Sequence, residues 1–225
     1  MRSQRQPRGA IRAPRGVLNT LLAGHRGPCC RAGAAPVEPV SGLVAILFTD
    51  VVSSGELLAR VGDGNAHRIL QAHHDLLAET AARHRGEEVK WLGDGLMVVF
   101  PSAAGALRCA IAMQLAARQP IGGERLAIRV GINAGETLWT ETDYFGSAVV
   151  AAHRLCRAAD ADQILSSDVV VGLLGGRPEF RFSAAHVIHV GGLCPVTAHE
   201  VGYQLPGPQA SAERLFADVM VELCR

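Results

Sequence analysis

Two aspartates of this chain stand where they could bind metal ions. Asp50 ends a predicted buried strand that begins with the apolar run Leu43 to Phe48, and Asp94 lies in the tight turn Gly93-Asp94-Gly95 between two further predicted strands. If that hairpin lies beside the first strand, the two carboxylates converge at one end of a sheet. Such a pair can hold two divalent cations, which is a common arrangement for phosphoryl chemistry.

Lys90 is the only lysine of the chain, and all other basic residues from Arg2 to Arg225 are arginines. It stands four residues before Asp94. A compact ammonium group suits a site that presents one acceptor, which the flat guanidinium fork of arginine does not match. The alternative is a lysine retained by chance on a strand edge. The neighbouring aspartate favours a functional role.

A predicted helix start completes this group. Ser53-Ser54-Gly55-Glu56 has the pattern of a capping box and predicts a short helix to about Arg60. The free N–H groups of its first turn would form an anion site beside the cation site. Each feature alone has a structural explanation, because aspartates are common at strand ends and in glycine-flanked turns. Their combination indicates a polyphosphate site.

The elements that must position these residues follow from the hydrophobic spacing. Asp63-Gly64-Asn65 predicts a break, after which a longer helix runs to about His84. The next predicted elements are a strand over Val89 to Leu92, a strand over Leu96 to Phe100, a helix from the cap Ser102 to about Arg118, and a strand over Leu126 to Asn133. The order βαββαβ is that of an α+β, ferredoxin-like fold with an antiparallel sheet and helices on one face.

A C-terminal αβαββ portion extends this core. Its predicted elements are a helix over Gly146 to Ala159, a strand over Gln163 to Ser166, a helix over Asp168 to Leu174, and strands over Phe180 to Val190 and Val196 to Val201. No Walker loop or GxGxxG motif is present in the sequence, so a nucleotide would be held in another way.

Composition and charge divide the chain into three predicted segments. Residues 1–41 form a leader or linker rich in Arg, Pro and Gly that we expect to be disordered, because residues 1–40 carry seven arginines against the single acid Glu38. Residues 42–204 form the folded domain, and residues 205–225 form a tail with a short amphipathic helix at about Ala212 to Cys224. No apolar run is long enough to span a membrane. We expect a cytoplasmic protein.

Other partner classes have weaker support. The six cysteines are scattered without metal-ligand spacing, which favours reduced, buried thiols. His73 and His74 lie in the long predicted helix, and a solvated helix face explains them better than metal binding. Nucleic-acid binding is disfavoured, because aromatic residues are few and arginines are not interleaved with them on any strand.

Four ordered blocks resemble the catalytic domain of class III nucleotidyl cyclases, close to actinobacterial adenylate cyclase homologues. These blocks are Phe48-Thr49-Asp50-Val51-Val52-Ser53-Ser54, Lys90-Trp91-Leu92-Gly93-Asp94-Gly95, Arg129-Val130-Gly131-Ile132-Asn133-Ala134-Gly135-Glu136, and Asp143-Tyr144-Phe145-Gly146 through Arg154. The resemblance covers about 42–203, the whole predicted folded part.

The resemblance implies roles for residues of each block. Asp50 and Asp94, with the backbone carbonyl of Val51, would bind two Mg²⁺ or Mn²⁺ ions, and Arg154 would stabilise charge on the phosphates. Lys90 and Asp143 would read the base. The nucleotide would also contact Val52, Ser53 and Ser54 at the start of the short helix. The resemblance further implies a head-to-tail homodimer with composite sites at its interface.

The base readers favour ATP over GTP. Adenine offers an acceptor at N1 and a donor at N6, which suit an ammonium and a carboxylate side by side. Guanine in the same pose would place N1–H against Lys90 and O6 against Asp143. Two such mismatches in a site built around polar contacts can reject the wrong base by about 10⁴ or more.

Two residues depart from the family pattern. Val150 stands where the family usually has an asparagine that contacts the ribose, and Gly191 stands where the family often has a lysine for the terminal phosphates. Losing one transition-state contact typically costs about 10² to 10³ in rate. The sequence therefore predicts an adenylate cyclase. The two departures are compatible with a low activity. The alternative is a weakened cyclase-like module that binds nucleotide or a partner and acts as a regulator.

Overall fold

A computed structural model describes residues 40–140, 143–189 and 195–203, and every structural statement below concerns those residues. The leader, Gly191 and the predicted C-terminal helix lie outside the described residues. Within these ranges, no helix combines the length and the apolar character that crossing a bilayer requires.

The chain folds into one mixed sheet with five helices. The strands are β1 (Val40–Val51), β2 (Glu87–Trp91), β3 (Gly95–Phe100), β4 (Ile128–Trp139), β5 (Tyr144–Phe145), β6 (Ile164–Ser167), β7 (Arg181–Phe182), β8 (His186–Ile188) and β9 (Val196–Gly202). The helices are α1 (Ser54–Val61), α2 (Asp63–Arg83), α3 (Ala103–Ala116), α4 (Ser147–Ala158) and α5 (Asp168–Leu174).

The strand order is β2-β3-β1-β4-β6-β9-β7, with β5 paired to β4 and β8 paired to β9. Every pairing is antiparallel except that between β4 and β6. Central strand β1 pairs with β3 on one side and with β4 on the other. The predicted α+β class and the ferredoxin-like core are confirmed.

Both faces of the sheet are covered, because successive residues of a strand point to opposite faces. On β1, Leu47 joins the larger core that packs under α1, α2, α3 and α5. Ile46 and Phe48 face the other way and join a smaller core with Met97, Val99 and three residues of α4. Asp50 has the same parity as Phe48, so it lies on the α4 face of the sheet.

Helix α4 approaches β4 closely at Gly131. A Cβ at residue 131 would lie 2.0 Å from the backbone nitrogen of Cys156 and 2.5 Å from the carbonyl oxygen of Ala152. Cys156 is buried there and burial raises the pKa of its thiol to about 12, so the thiol stays protonated. Cys109 is also a free, buried thiol, as predicted. Gly131 therefore sets how near α4 lies to the strand that carries Arg129.

Several local predictions need correction. Ser53 does not cap α1 with its side chain: it adopts a left-handed conformation (φ 58°), and its hydroxyl makes no capping hydrogen bond. The helix break lies at Gly62, so Asp63-Gly64-Asn65 is the first turn of α2. The β4 strand extends to Trp139, six residues beyond the predicted end. Ser102 does cap α3, accepting a hydrogen bond from the Gly105 N–H at 3.1 Å.

The expectation of a solvated pair of histidines is wrong for His73. Its side chain is buried on the inner face of α2, and neither ring nitrogen has a hydrogen-bond partner among the described residues. Burial lowers the pKa of His73 to about 4, so the ring is neutral near pH 7. His74 is partly buried, stacks on Trp91 at 4.7 Å and contacts Glu88 at 2.7 Å.

Candidate active site

The two predicted metal aspartates meet at one end of the sheet. Asp50 is the cross-strand partner of Gly95, and the Val51 N–H donates to the carbonyl of Asp94 at 3.1 Å. The turn at Asp94 follows Gly93, which has φ 94°, a conformation that favours glycine. Register and turn chemistry together bring the hairpin tip beside the end of β1.

The start of α1 contacts the same turn. The Ser54 hydroxyl donates to Oδ2 of Asp94 at 2.6 Å. Val52 extends the ladder beyond β1, because its N–H donates to the Ala127 carbonyl at 2.9 Å. Ser53 is exposed, and its carbonyl accepts from the N–H of Glu56 at 2.9 Å. The segment predicted to contact the nucleotide therefore lies next to the aspartates, although the capping box does not form.

The donor set fits a divalent cation of the Mg²⁺ or Mn²⁺ type. Carboxylate and carbonyl oxygens are the ligands such ions prefer, and Mg²⁺ is commonly held by one or two carboxylates plus substrate phosphates. Asp50, Asp94 and the carbonyl of Val51 are the protein groups available for this. Within the described ranges no group of three or more His, Cys, Asp or Glu side chains could hold an ion alone. A substrate with phosphates would complete the coordination.

Asp50 is held by two arginines that the sequence analysis did not assign. Arg129, its direct cross-strand partner on β4, donates to Oδ2 through Nε at 2.8 Å and also through Nη2. Arg157, on α4, places Nη1 3.7 Å from the same oxygen. The carboxylate is 17% exposed, so these cations balance a charge that is largely removed from water.

Lys90 and Asp143 form the predicted pair. Nζ of Lys90 donates to Oδ2 of Asp143 at 2.6 Å, and the two side chains are 38% and 22% exposed. The other carboxylate oxygen accepts from the Tyr144 N–H at 2.8 Å, and the Thr140 N–H donates to the Asp143 carbonyl at 2.9 Å. One backbone donor thus fixes the carboxylate and another fixes the main chain of Asp143, and the ion pair stays partly exposed.

Strand β5 brings Asp143 to Lys90. Tyr144 packs against the smaller core, which contains Phe48 and Met97, and Lys90 is the cross-strand partner of Met97. Burial, and then the charge of Glu87, raises the pKa of Tyr144. Residues 53 positions apart in sequence meet because the β4–β5 hairpin folds over the sheet face that also carries Asp50.

Arg154 lies on α4 and lines a cleft of about 420 Å³ between α4, β4 and the start of β9. Asn133 of β4 stabilises the first turn of this helix by donating to the Ala148 carbonyl at 3.0 Å. Val150, at the position where an asparagine was expected, is 39% exposed. An apolar side chain therefore stands accessible to a ligand or to another chain, one turn before Arg154.

His153 precedes Arg154 on α4 and lies near Asp50. Its ring contacts Phe48 edge to face, with the ring centroids 5.3 Å apart. Burial and then the nearby Arg157 lower the pKa of His153, whereas the charge of Asp50 acts in the opposite direction. The last two turns of α4 therefore present a histidine and an arginine to the Asp50 side of the sheet, which no motif in the sequence indicated.

Comparison with known proteins identifies the family of this domain. The family model for the adenylate and guanylate cyclase catalytic domain matches residues 37–207. A protein of Rhizobium meliloti (strain 1021) named "Putative adenylate cyclase 3" is 33% identical over 145 residues, which are 62% of this chain and 24% of that protein. Two adenylate cyclases of fungi match over only 8% and 7% of their length, so the chain spans a quarter or less of these curated relatives.

Solved structures give the same result for the fold. An adenylate/guanylate cyclase/hydrolase from Silicibacter pomeroyi is 29% identical with a TM-score of 0.64, covering 73% of this chain and 99% of that one. The catalytic core of a rhodopsin-guanylyl cyclase with converted specificity, in complex with ATPαS, has a TM-score of 0.67 at 20% identity. It covers 74% of this chain and 100% of that one, and at this identity the likeness concerns the fold alone.

Proposed function

Because the chain belongs to the family of adenylate and guanylate cyclase catalytic domains, we propose that it is an adenylate cyclase, converting ATP to 3′,5′-cyclic AMP and pyrophosphate. The observation that carries the choice of ATP is the ion pair of Lys90 and Asp143, 2.6 Å long and partly exposed. A lysine and a carboxylate side by side offer adenine a donor for N1 and an acceptor for N6. Guanine in that pose would meet a donor with a donor and an acceptor with an acceptor, which costs the free energy of two unmade hydrogen bonds.

Members of this family use divalent metal ions. In this chain Asp50, Asp94 and the Val51 carbonyl would hold them. When bound, such ions polarise the phosphates and make the 3′-oxygen of the ribose a better nucleophile. The Ser54 hydroxyl, which donates to Asp94 at 2.6 Å, orients that carboxylate.

The arginines and the helix start would bind the polyphosphate. Arg129 neutralises Asp50 before any ligand arrives, and its guanidinium lies beside the position that metal-bound phosphates would take. The backbone N–H groups of Ser54 and Gly55 at the start of α1 and the hydroxyl of Ser53 would donate to the same anion. Arg154 would stabilise the charge that develops as the α-phosphorus is attacked and pyrophosphate leaves.

We propose that the working unit is a head-to-tail homodimer. In this arrangement the metal aspartates of one protomer face Lys90, Asp143 and Arg154 of the other, and a two-fold axis generates two identical sites. The β4–β5 hairpin supports this, because Trp139 and Phe145 are 42% and 51% exposed beside the Asp143 pair. A second copy would cover these large apolar side chains.

The second candidate is a cyclase-like regulatory module that binds nucleotide with little or no turnover. Val150 favours it, because a valine cannot hydrogen-bond a ribose hydroxyl, and this chain also lacks the phosphate lysine at Gly191. The intact Lys90 and Asp143 pair and the retention of both aspartates favour the enzyme.

One experiment separates the two candidates. The purified full chain is incubated with ATP and Mn²⁺, and cyclic AMP is quantified by mass spectrometry beside a GTP reaction. We expect cyclic AMP in excess over cyclic GTP. A folded protein that binds ATP and produces neither nucleotide would be a regulatory module, and one that prefers GTP would contradict the base assignment.

A further inference from the structure

A second arginine, on α4, approaches the carboxylate of Asp50. Arg157 lies in the last turn of α4, and its Nη1 is 3.7 Å from Oδ2 of Asp50. That distance is too long for a hydrogen bond, so the contact is electrostatic. In the part of the chain that the structure describes, the guanidinium makes no hydrogen bond, and its side chain is 62% exposed. Its donors are therefore available to a ligand.

The backbone at Arg157 is fixed, whereas most of its side chain is exposed. Nη1 of Arg129 donates to the carbonyl of Arg157 at 3.3 Å. The same guanidinium binds Asp50, so one side chain ties the end of α4 to the aspartate. The close approach of α4 to Gly131 restrains the helix from the other side. Arg157 is thus held at a defined distance from the candidate metal site.

The separation of Arg157 from Asp50 matches that expected between two oxygens that share one metal ion. Mg²⁺ binds its oxygen ligands at about 2.1 Å, so two oxygens on one ion lie about 3 to 4 Å apart. Any phosphate oxygen sharing an ion with Asp50 would therefore lie about as far from that carboxylate as Arg157 already does. An exposed, planar guanidinium with five donors is well suited to bind such an oxygen.

We infer that Arg157 binds the triphosphate of the nucleotide, an inference that rests on the proposed function and names a residue in that site. The resemblance predicts a lysine for the terminal phosphates where this chain has Gly191, so one of the cations expected at the phosphates is missing. Arg157 supplies a positive charge on the Asp50 side of the site. Before ligand binding it helps Arg129 to balance Asp50, and with ligand bound it turns to the phosphates.

The test uses three binding measurements, two of which should change in opposite directions. In Arg157→Gln, the Kd of 2′,3′-dideoxy-ATP with Mn²⁺ should rise about tenfold, because one charge-assisted contact is lost. This nucleotide lacks the 3′-hydroxyl and cannot cyclise. The Kd of 2′,3′-dideoxy-AMP should change by less than about twofold, because most of the phosphate charge is absent. Without nucleotide, the affinity for Mn²⁺ alone should rise by about twofold or more, because a cation beside Asp50 is gone.

A matched control is Arg83→Gln on α2, an exposed arginine whose one ion pair among the described residues is with Glu79 one turn away. It should alter none of the three affinities. Thermal unfolding of Arg157→Gln should match the wild type, because an exposed pair at 3.7 Å contributes little stability.

Two results would overturn the inference. One is a triphosphate affinity of Arg157→Gln equal to that of the wild type. The other is an equal loss of affinity for Mn²⁺, the monophosphate and the triphosphate, which would indicate a structural role. Failure of the proposed function is a separate result: a wild-type chain that makes no cyclic AMP contradicts the cyclase assignment, and the binding measurements still decide the role of Arg157.

Discussion

Asp50 and Arg129 face each other as cross-strand partners on β1 and β4, and two N–H groups of the guanidinium converge on one carboxylate oxygen. The aspartate proposed to hold metal is therefore neutralised within its own chain. A cation that binds Asp50 must compete with Arg129. In the proposed enzyme, metal binding at Asp50 would therefore be coupled to the release of this arginine toward the phosphates.

The first prediction concerns the two aspartates. Asp50→Ala or Asp94→Ala should lower cyclic AMP production by at least about 10²-fold, because each removes a proposed metal ligand. The fold should survive, with a loss of about 1–3 kcal/mol from the hydrogen bonds to Arg129 or Ser54. Cyclic AMP assays and thermal melts by circular dichroism measure both effects. Wild-type turnover by either folded variant would contradict the metal assignment.

Much of the fold and part of the site could be predicted from the sequence, because their causes are local. The Gly93-Asp94-Gly95 turn predicts a hairpin, and Gly93 has the positive φ that favours glycine. The continuous apolar run of β1 predicts a buried strand, and its residues do join two cores. The order of elements then places Asp94 beside Asp50. Ser102 caps α3 as its position suggested.

What could not be predicted depends on register and on tertiary packing. Arg129 opposes Asp50 only in one pairing of β1 with β4, and Arg157 reaches it only because Gly131 lets α4 approach. His73 lies four residues from both Ile69 and Leu77, so helical spacing does place it on the buried face of α2, and the prediction of a solvated ring rested on its polarity alone. Ser53 failed as a cap because the chain enters α1 through a left-handed residue.

The second prediction concerns base selection. Lys90→Ala should lower the ratio of kcat/KM for ATP over that for GTP by about tenfold or more, because the donor to adenine N1 is removed. The ratio should fall because kcat/KM for ATP decreases. Arg83→Gln, remote on α2, serves as the control. An unchanged ratio in a folded Lys90→Ala variant would mean that another contact selects the base.

The third prediction concerns the dimer. Asp50→Ala and Arg154→Ala should each be inactive, and a re-equilibrated equimolar mixture should regain about a quarter of wild-type activity. Half of the dimers then contain one chain of each variant, and each of these heterodimers has one intact site of two. Differently tagged chains and tandem purification establish that heterodimers are present. No recovery in such a sample would place all catalytic residues of a site within one chain.

The fourth prediction concerns acid stability. The pKa of His73 is about 4 in the folded chain against an ordinary value of 6.5. Between these values the unfolded chain takes up a proton that the folded chain excludes, so stability falls as pH decreases from about 6.5 to 4, by up to about 3 kcal/mol. His73→Leu should reduce this loss. At pH 7.5 it should not destabilise the protein strongly, because two unpartnered buried nitrogens are removed.

Urea unfolding of wild type and variant at pH 5.0 and 7.5 measures this effect. The exposed His67 provides a matched control, because His67→Leu on the same helix should not change the loss of stability on acidification. An equal loss of stability on acidification in wild type and His73→Leu would show that His73 does not control it.

The fifth prediction separates the enzyme from the regulator at Val150. This residue is accessible on α4, one turn before Arg154, where an amide could reach the ribose of a bound nucleotide. If the chain is an impaired enzyme, Val150→Asn should raise kcat by up to about 10²-fold and change KM for ATP less, because the amide acts on the geometry of the transition state. Val150→Ala is the control, since it removes apolar surface without adding a hydrogen-bonding group. A folded, dimeric, ATP-binding Val150→Asn variant that produces no cyclic AMP above background would identify the chain as a regulatory module.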